Sequence, residues 1–441
     1  MSDNEQGHNG RFTLKSWHVI VVIIVVLVGL IALYIVIGRA RLDRRLEALR
    51  AAGYPTTVAE LAEYNKLPAG TPNADRVYMA AFAAVAPPLD VANTPSLGTA
   101  KWPDRGKPLP EPMVKAISQC LADNQQCLAL LHEAAGIQDC RYDWDWQKYA
   151  TTGFSELVDV RHCAQLLALG TIYHSHSGDP NMAVRCVEDG LRLADSLRRG
   201  PALINYLVRI ACVGLTLGSL ERSLNAAAFT EGQLAELDKA LTAAAGTLDL
   251  TQTLITERCI TIETCRDPFL LAGPGQDPAP RMLPGMTRTA IADALNYMED
   301  CIEASKLSPP ERLTRFREAT KKVEDLSFLH FMIKMLAPGL GRAGEIDARV
   351  HANIDLARTA LAIERYRLAT GKVPERLEEL VPQYLKEVPI DPFDGQPIRY
   401  RRTNPGYCLY SIGEDGQDNG GKEKAEVNRG APYDWPFIVT R

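Results

Sequence analysis

The sequence predicts a mainly α protein. It has a single N-terminal transmembrane helix, an irregular or solenoid-like helical body, and a small α+β module at the C-terminus. Three observations predict this. An uninterrupted apolar run, Val19 to Ile37, lies near the start. From Arg39 to about Thr370 apolar residues recur at helical spacing. Beyond that, short alternating segments stand between turn residues. The 441 residues therefore divide into a polar tail (1–16), a signal-anchor (17–38), a helical domain (39–345) and a C-terminal module (346–441).

The anchor comes first. VIVVIIVVLVGLIALYIVI holds nineteen residues without a charge. At about 1.5 Å each they cover the ~30 Å hydrocarbon core. Trp17 and Tyr34 stand near its two edges, where amphipathic rings favour the interface. A cleaved signal would have a shorter apolar stretch and a small-residue cleavage site. Here the run passes through Gly38 into Arg39, Arg41, Arg44, Arg45 and Arg50, so it reads as uncleaved and the lipid bilayer is the first partner. Those arginines outnumber Arg11 and Lys15 on the other side. The positive-inside rule alone therefore favours a cytoplasmic body.

Composition limits the rest. A chain 46% hydrophobic and 23% charged can bury a core and is not wholly disordered. A formal net charge of −5 lacks the basic balance of a nucleic-acid binder, so nucleic acid is not an expected partner. The 10 cysteines include no C-x-x-C, which excludes zinc-ribbon and thioredoxin motifs. An even count is compatible with some disulfides in an oxidising compartment. Burial as small hydrophobes is the other reading. Cys120 and Cys127 are expected on one helix, too far apart to pair with each other.

Within the body, Leu42, Leu46 and Leu49 continue a helix out of the membrane. Thr57 to Glu60 has the form of a capping box. Asn73 to Val85 is a small-residue helix. Seven prolines across 86–112 forbid a helix interior and make a long loop. Helices are expected over Met113–Ala135 and Ser155–His174. Another opens at Asp179-Pro180, an N-cap followed by Pro at the first helical position. It carries Ala183, Val187, Leu191, Ala194 and Leu197 on one side, with Gly200-Pro201 as its stop. Ala202 to Leu224 is the next, and Thr230 caps the one after. A second proline-rich loop lies at 266–288, and two helices follow, from Thr287 and from Pro310. No 34-residue period is sustained, so an irregular bundle is the default over a repeat array.

In the module, Val350, Ile354, Ala357, Leu361 and Leu368 form the stripe of a helix ending near Thr370-Gly371. A short helix is expected from Pro374 through Leu385. Pro397 to Arg401 alternates apolar and basic residues, as a half-buried strand does. Asn404-Pro405-Gly406 is a turn. Tyr407 to Ile412 is a second strand, and Pro436 to Val439 a third.

Four segments follow one another in order here: Ala362-Ile363-Glu364-Arg365-Tyr366-Arg367, Thr370-Gly371-Lys372-Val373-Pro374, Asp391-Pro392-Phe393-Asp394-Gly395-Gln396-Pro397-Ile398-Arg399-Tyr400 and Leu409-Tyr410-Ser411-Ile412-Gly413-Glu414-Asp415-Gly416. They resemble the periplasmic domain of the major pseudopilin of type II secretion, over about ninety residues of 441. The whole chain also resembles bacterial membrane-anchored helical proteins that carry this tail. The resemblance implies a calcium site in the last loop, at Asp415, Asp418, Asn419 and Asp434. Hard cations take several oxygen ligands, and Gly416, Gly420 and Gly421 let the backbone turn. An acidic Asp-Gly turn in solvent is the plainer reading of the same residues. Lys422, Glu423, Lys424 and Glu426 depart from the dense late acidic cluster of the family. Gly10-Arg11-Phe12-Thr13-Leu14 resembles a prepilin signal, but Arg11 intervenes and Ser16 or Trp17 stands where that signal has Glu.

The short N-terminal tail and the resemblance outweigh the arginine count. The body is thus expected on the extracytoplasmic side of a bacterial inner membrane. No G-x-S-x-G, H-E-x-x-H, P-loop or dinucleotide fingerprint occurs. His174 and His176 are the one close His pair, and at i, i+2 on a helix they point apart. Tyr142-Asp143-Trp144-Asp145-Trp146 concentrates rings and carboxylates near Cys140, as a core anchor or a binding surface. The leading expectation is a non-enzymatic, membrane-tethered binding or scaffold protein, with protein partners in the envelope or a type II secretion apparatus. The alternatives are a membrane-tethered enzyme with its site near the 86–112 or 266–288 loops, and an atypical minor pseudopilin.

Overall fold

In a computed structural model that describes residues 16–143, 155–266, 284–327, 330–428 and 431–441, the apolar run and the arginine-rich segment behind it form one helix, α1 (Ser16–Ala51). Its two halves have different surroundings. From Val21 to Ile37 the described side chains are exposed, Val25 at 64%. After Arg39 the helix docks on the body. Leu42 and Leu46 are buried, and Arg45 donates to Asn296 and Glu299. Arg50 pairs with Glu60 at 3.0 Å. The polar tail and the Phe12 region lie outside the described residues.

Short helices α2 (Val58–Tyr64) and α3 (Asp75–Ala83) follow. Thr57 caps α2 by accepting from the Glu60 N–H, while the Glu60 carboxylate accepts from the backbone and hydroxyl of Thr56. The expected box is thus shifted by one residue. The helix expected over Met113–Ala135 is two, α4 (Glu111–Asp123) and α5 (Gln125–Ala135). Asn124 breaks it: its side chain accepts from the Ala86 N–H at 2.8 Å and donates to the Ala86 carbonyl at 3.0 Å. Cys120 and Cys127 therefore do not share a helix.

The body continues with α6 (Ser155–His176), α7 (Pro180–Asp195) and α8 (Leu203–Ala226). These three pack on one another. Asp179 caps α7 by accepting from the Met182 N–H at 3.1 Å. The expected stripe of Ala183, Val187, Leu191 and Ala194 is buried. α8 is apolar and long enough to cross a membrane, but most of its surface is buried against α6, α7 and neighbours, as in a core helix. Thr230 and Gln233 exchange the reciprocal bonds of a capping box and open α9 (Glu231–Thr247). Then come α10 (Leu250–Arg266), α11 (Pro284–Ser305) and α12 (Glu311–Glu324). Residues 267–283 of the second proline-rich loop lie outside the described residues.

The last helix, α13 (Phe331–Thr370), runs 40 residues and packs on α8, α9, α11 and α12. The division expected at residue 345 falls inside it. Gly371, with φ of +74°, ends it in the left-handed conformation that glycine adopts without strain. The helix expected from Pro374 to Leu385 reduces to a 3-10 turn at Leu377–Leu380. Pro382 holds Val381 extended, which an α-helix cannot accept.

The three expected strands form one antiparallel sheet in the order β1 (Arg399–Arg402), β2 (Tyr407–Ser411), β3 (Trp435–Val439). Every residue of the central strand is buried. One face meets α13, where the Tyr407 hydroxyl donates to Glu364 at 3.0 Å. The other face, Cys408 and Tyr410, lies under the β2–β3 loop. A Cβ at Gly421 would come within 3.0 Å of the Cys408 sulfur and the Tyr410 ring.

Candidate functional site

The β2–β3 loop, residues 412–434, holds all four residues implied as calcium ligands, and the fold brings three of them together. Asp434, 1% exposed, accepts from the Asn419 N–H at 3.0 Å, the Gly421 N–H at 2.6 Å and the Asn419 side chain at 3.4 Å. Asp418 accepts from the Tyr410 hydroxyl at 3.1 Å and the Gly420 N–H at 2.9 Å. Asn419 also donates to the Gln417 carbonyl at 3.0 Å. Asp415 turns outward and accepts from the Gln417 N–H at 2.9 Å. Burial pushes the Asp434 carboxyl upward, against the N–H groups that favour its ionised form.

This arrangement bears directly on the cation. Calcium takes 6–8 oxygens at about 2.3–2.6 Å. Here both Asp434 oxygens face N–H donors, and the Arg399 guanidinium stands 4.0 Å from Asp418. Among the described residues no three His, Cys, Asp or Glu side chains converge as a metal site. In this arrangement the Asp434 and Asp418 oxygens accept from N–H and O–H donors.

The motif residues around the loop have structural partners. Asp391, fully buried, accepts from the Phe393 N–H, the Ser411 hydroxyl, the Ile412 N–H and Arg399 at 2.9–3.2 Å. Glu364, 3% exposed, accepts from Tyr407, from Arg367 and from Arg441 at 2.7 Å. Glu414 accepts from Arg349 and from the Trp435 indole at 3.0 Å, while Arg349 lies 4.3 Å over the Trp435 ring. The sequence reading named none of these pairings. The ordered motifs were the signal that could have located them.

The module is also tied to the body. Arg105, from the 86–112 loop, donates to Glu221 on α8 at 2.8 Å and clamps both oxygens of Glu423 at 2.9 Å. Glu423 is held below the usual carboxylate range by that bidentate bond. Glu221 and Asn225 bond the backbone of Ile438 and Thr440 at 2.7–2.8 Å and so cover the β3 edge. A cavity of about 240 Å³ beside this clamp is lined by Arg105, Lys107, His176, Arg222 and Asn225. It lies at the C-terminal ends of α6 and α8, with Asp104 and the apolar Leu109 and Ile172 also in its wall. Among the described residues it sets no nucleophile against a base.

The remaining candidates separate. His174 and His176 both lie on the last turn of α6. His176 bonds the Ile172 carbonyl at 3.2 Å, His174 meets the Tyr173 ring edge-on at 5.4 Å, and burial lowers the His174 pKa. The two rings have separate partners. Tyr142 is a core anchor: it is 4% exposed, its hydroxyl sits 2.8 Å from Ser196, and its ring packs against both Tyr78 and Phe82. Trp144, Asp145 and Trp146 lie outside the described residues. A further buried polar set escaped the sequence reading. Asp347, fully buried on α13, accepts from Tyr206 of α8 and from Arg312 of α12 at 2.8 Å. It joins three helices. Compared with known protein families, with curated proteins and with solved structures, the chain matches none.

Proposed function

We propose that this chain is a single-pass protein of the bacterial inner membrane. Its helical body, on the extracytoplasmic side, is a binding or scaffolding surface for envelope proteins, among them a type II secretion apparatus. The pseudopilin-like C-terminal module is built into that body. The observation that carries this reading is α1. One unbroken helix exposes an apolar surface from Val21 to Ile37, then buries Leu42 and Leu46 in the body. Such a surface is costly in water and favourable in lipid. The rest of the chain offers polar clamps that hold elements together, such as Arg105 between Glu221 and Glu423. A scaffold needs such clamps.

The side is tested by labelling. All ten cysteines are buried, so a new exposed one reports alone. Leu89, on the proline-rich loop, is 80% exposed. In intact spheroplasts, Leu89→Cys is expected to react with a membrane-impermeant maleimide as fast as in lysed cells. Labelling only after lysis would place the body in the cytoplasm and overturn the assignment.

A further inference from the structure

Ten cysteines buried as thiols suggest ten small hydrophobes, yet two of them meet. The sulfurs of Cys127 on α5 and Cys163 on α6 lie 3.9 Å apart, and both residues are fully buried. We infer that Cys127 and Cys163 are a disulfide-forming pair, joined when the body folds in an oxidising compartment. The inference rests on the extracytoplasmic placement proposed above.

The geometry favours the bond. A disulfide needs its sulfurs at about 2.05 Å, so the contact must close by roughly 2 Å. The two sulfurs are already in contact. α5 packs chiefly on α3 and α7, whereas α6 packs chiefly on α7 and α8. A bond between α5 and α6 would therefore tie two helices that packing links mainly through a third. The chemistry is favourable as well. The two thiols share one hydrogen bond that either can donate, so either can serve as the attacking thiolate once it is opened to solvent.

Formation follows thiol–disulfide exchange with a small or protein disulfide of the compartment. One of the two protein thiolates attacks that disulfide, forms a mixed disulfide and releases one thiol. The other cysteine then loses its proton and attacks the first protein sulfur, releasing the second thiol. Two protein thiols are oxidised and one external disulfide is reduced to two thiols. Because both sulfurs are buried, exchange takes place during folding or local opening, and the finished bond is shielded from reductant.

The test has two arms on the full-length chain. In the first, protein isolated reduced in detergent is held in a glutathione redox buffer with enough urea to open the core locally. It is then returned to native conditions, alkylated under denaturing conditions and mapped by mass spectrometry. The expected result is a linked Cys127–Cys163 peptide pair, with the other eight cysteines alkylated. Cys163→Ser should abolish the link and leave Cys127 alkylated. Alkylation of both Cys127 and Cys163 in protein that regains its helical circular dichroism would overturn the pairing, whatever the topology. In the second arm, cells are acid-quenched and alkylated before isolation. A link is expected there too. A link in the first arm but free thiols in the second would overturn the proposed oxidation in the cell, and the Leu89→Cys labelling then tells whether the extracytoplasmic placement fails with it.

Discussion

At Glu257 a carboxylate on α10 receives the first N–H of α8: the Leu203 nitrogen lies 2.7 Å from it. The bond alone would favour the ionised form, but burial dominates and pushes the carboxyl up to about 7, from an ordinary 4.5. A carboxyl raised in the folded state stabilises it fully below about pH 4.5 and loses that contribution as pH rises through 7. Glu257→Gln removes the titration. Thermal melts from pH 5 to pH 8 should show the variant gaining on the parent by up to about 3 kcal/mol, and a pH-independent difference would contradict it. Asp391 is a fully buried carboxylate with four donors. Asp391→Ala leaves them without an acceptor and should cost about 3–5 kcal/mol in urea unfolding. Ser411→Ala, which removes one donor, should cost about 1 kcal/mol.

At the scale of the element, the β2–β3 loop is organised by Asp434 and its N–H donors. Adding calcium, or EDTA, should leave the thermal midpoint unchanged, while Asp434→Ala should lower stability by about 2–4 kcal/mol. A calcium-dependent rise in midpoint would contradict this account of the loop. Elements of this chain were legible where the signal was local. The caps at Asp179 and Thr230, the three strands and the end of α13 at Gly371 all follow from residues within one turn of the feature. The break at Asn124 was not legible, because its cause is the backbone of Ala86, 38 residues away. The reduced helix after Pro374 failed for a local reason, the extended conformation that Pro382 imposes on Val381. Of the candidate site, the residues could be named from the motifs. Which donor each carboxylate accepts depends on the path of the loop and could not.

For the whole molecule, the C-terminal module and the body are one structure. α13 belongs to both, Arg105 of the 86–112 loop ties α8 to the β2–β3 loop, and Glu221 and Asn225 close the sheet edge. That integration was invisible in a sequence read as successive domains, since every one of these contacts joins residues far apart in the chain. Among the described residues, the long run of exposed valines, leucines and isoleucines lies on the first half of α1. Its proposed partner is lipid, and the most direct test is sedimentation. After detergent-free lysis, the full-length chain should pellet with membranes and resist alkaline carbonate, while a chain lacking residues 1–38 should stay in the supernatant with its helical signal intact. Full-length chain recovered in the supernatant, before any carbonate wash, would contradict the anchor and everything built on it.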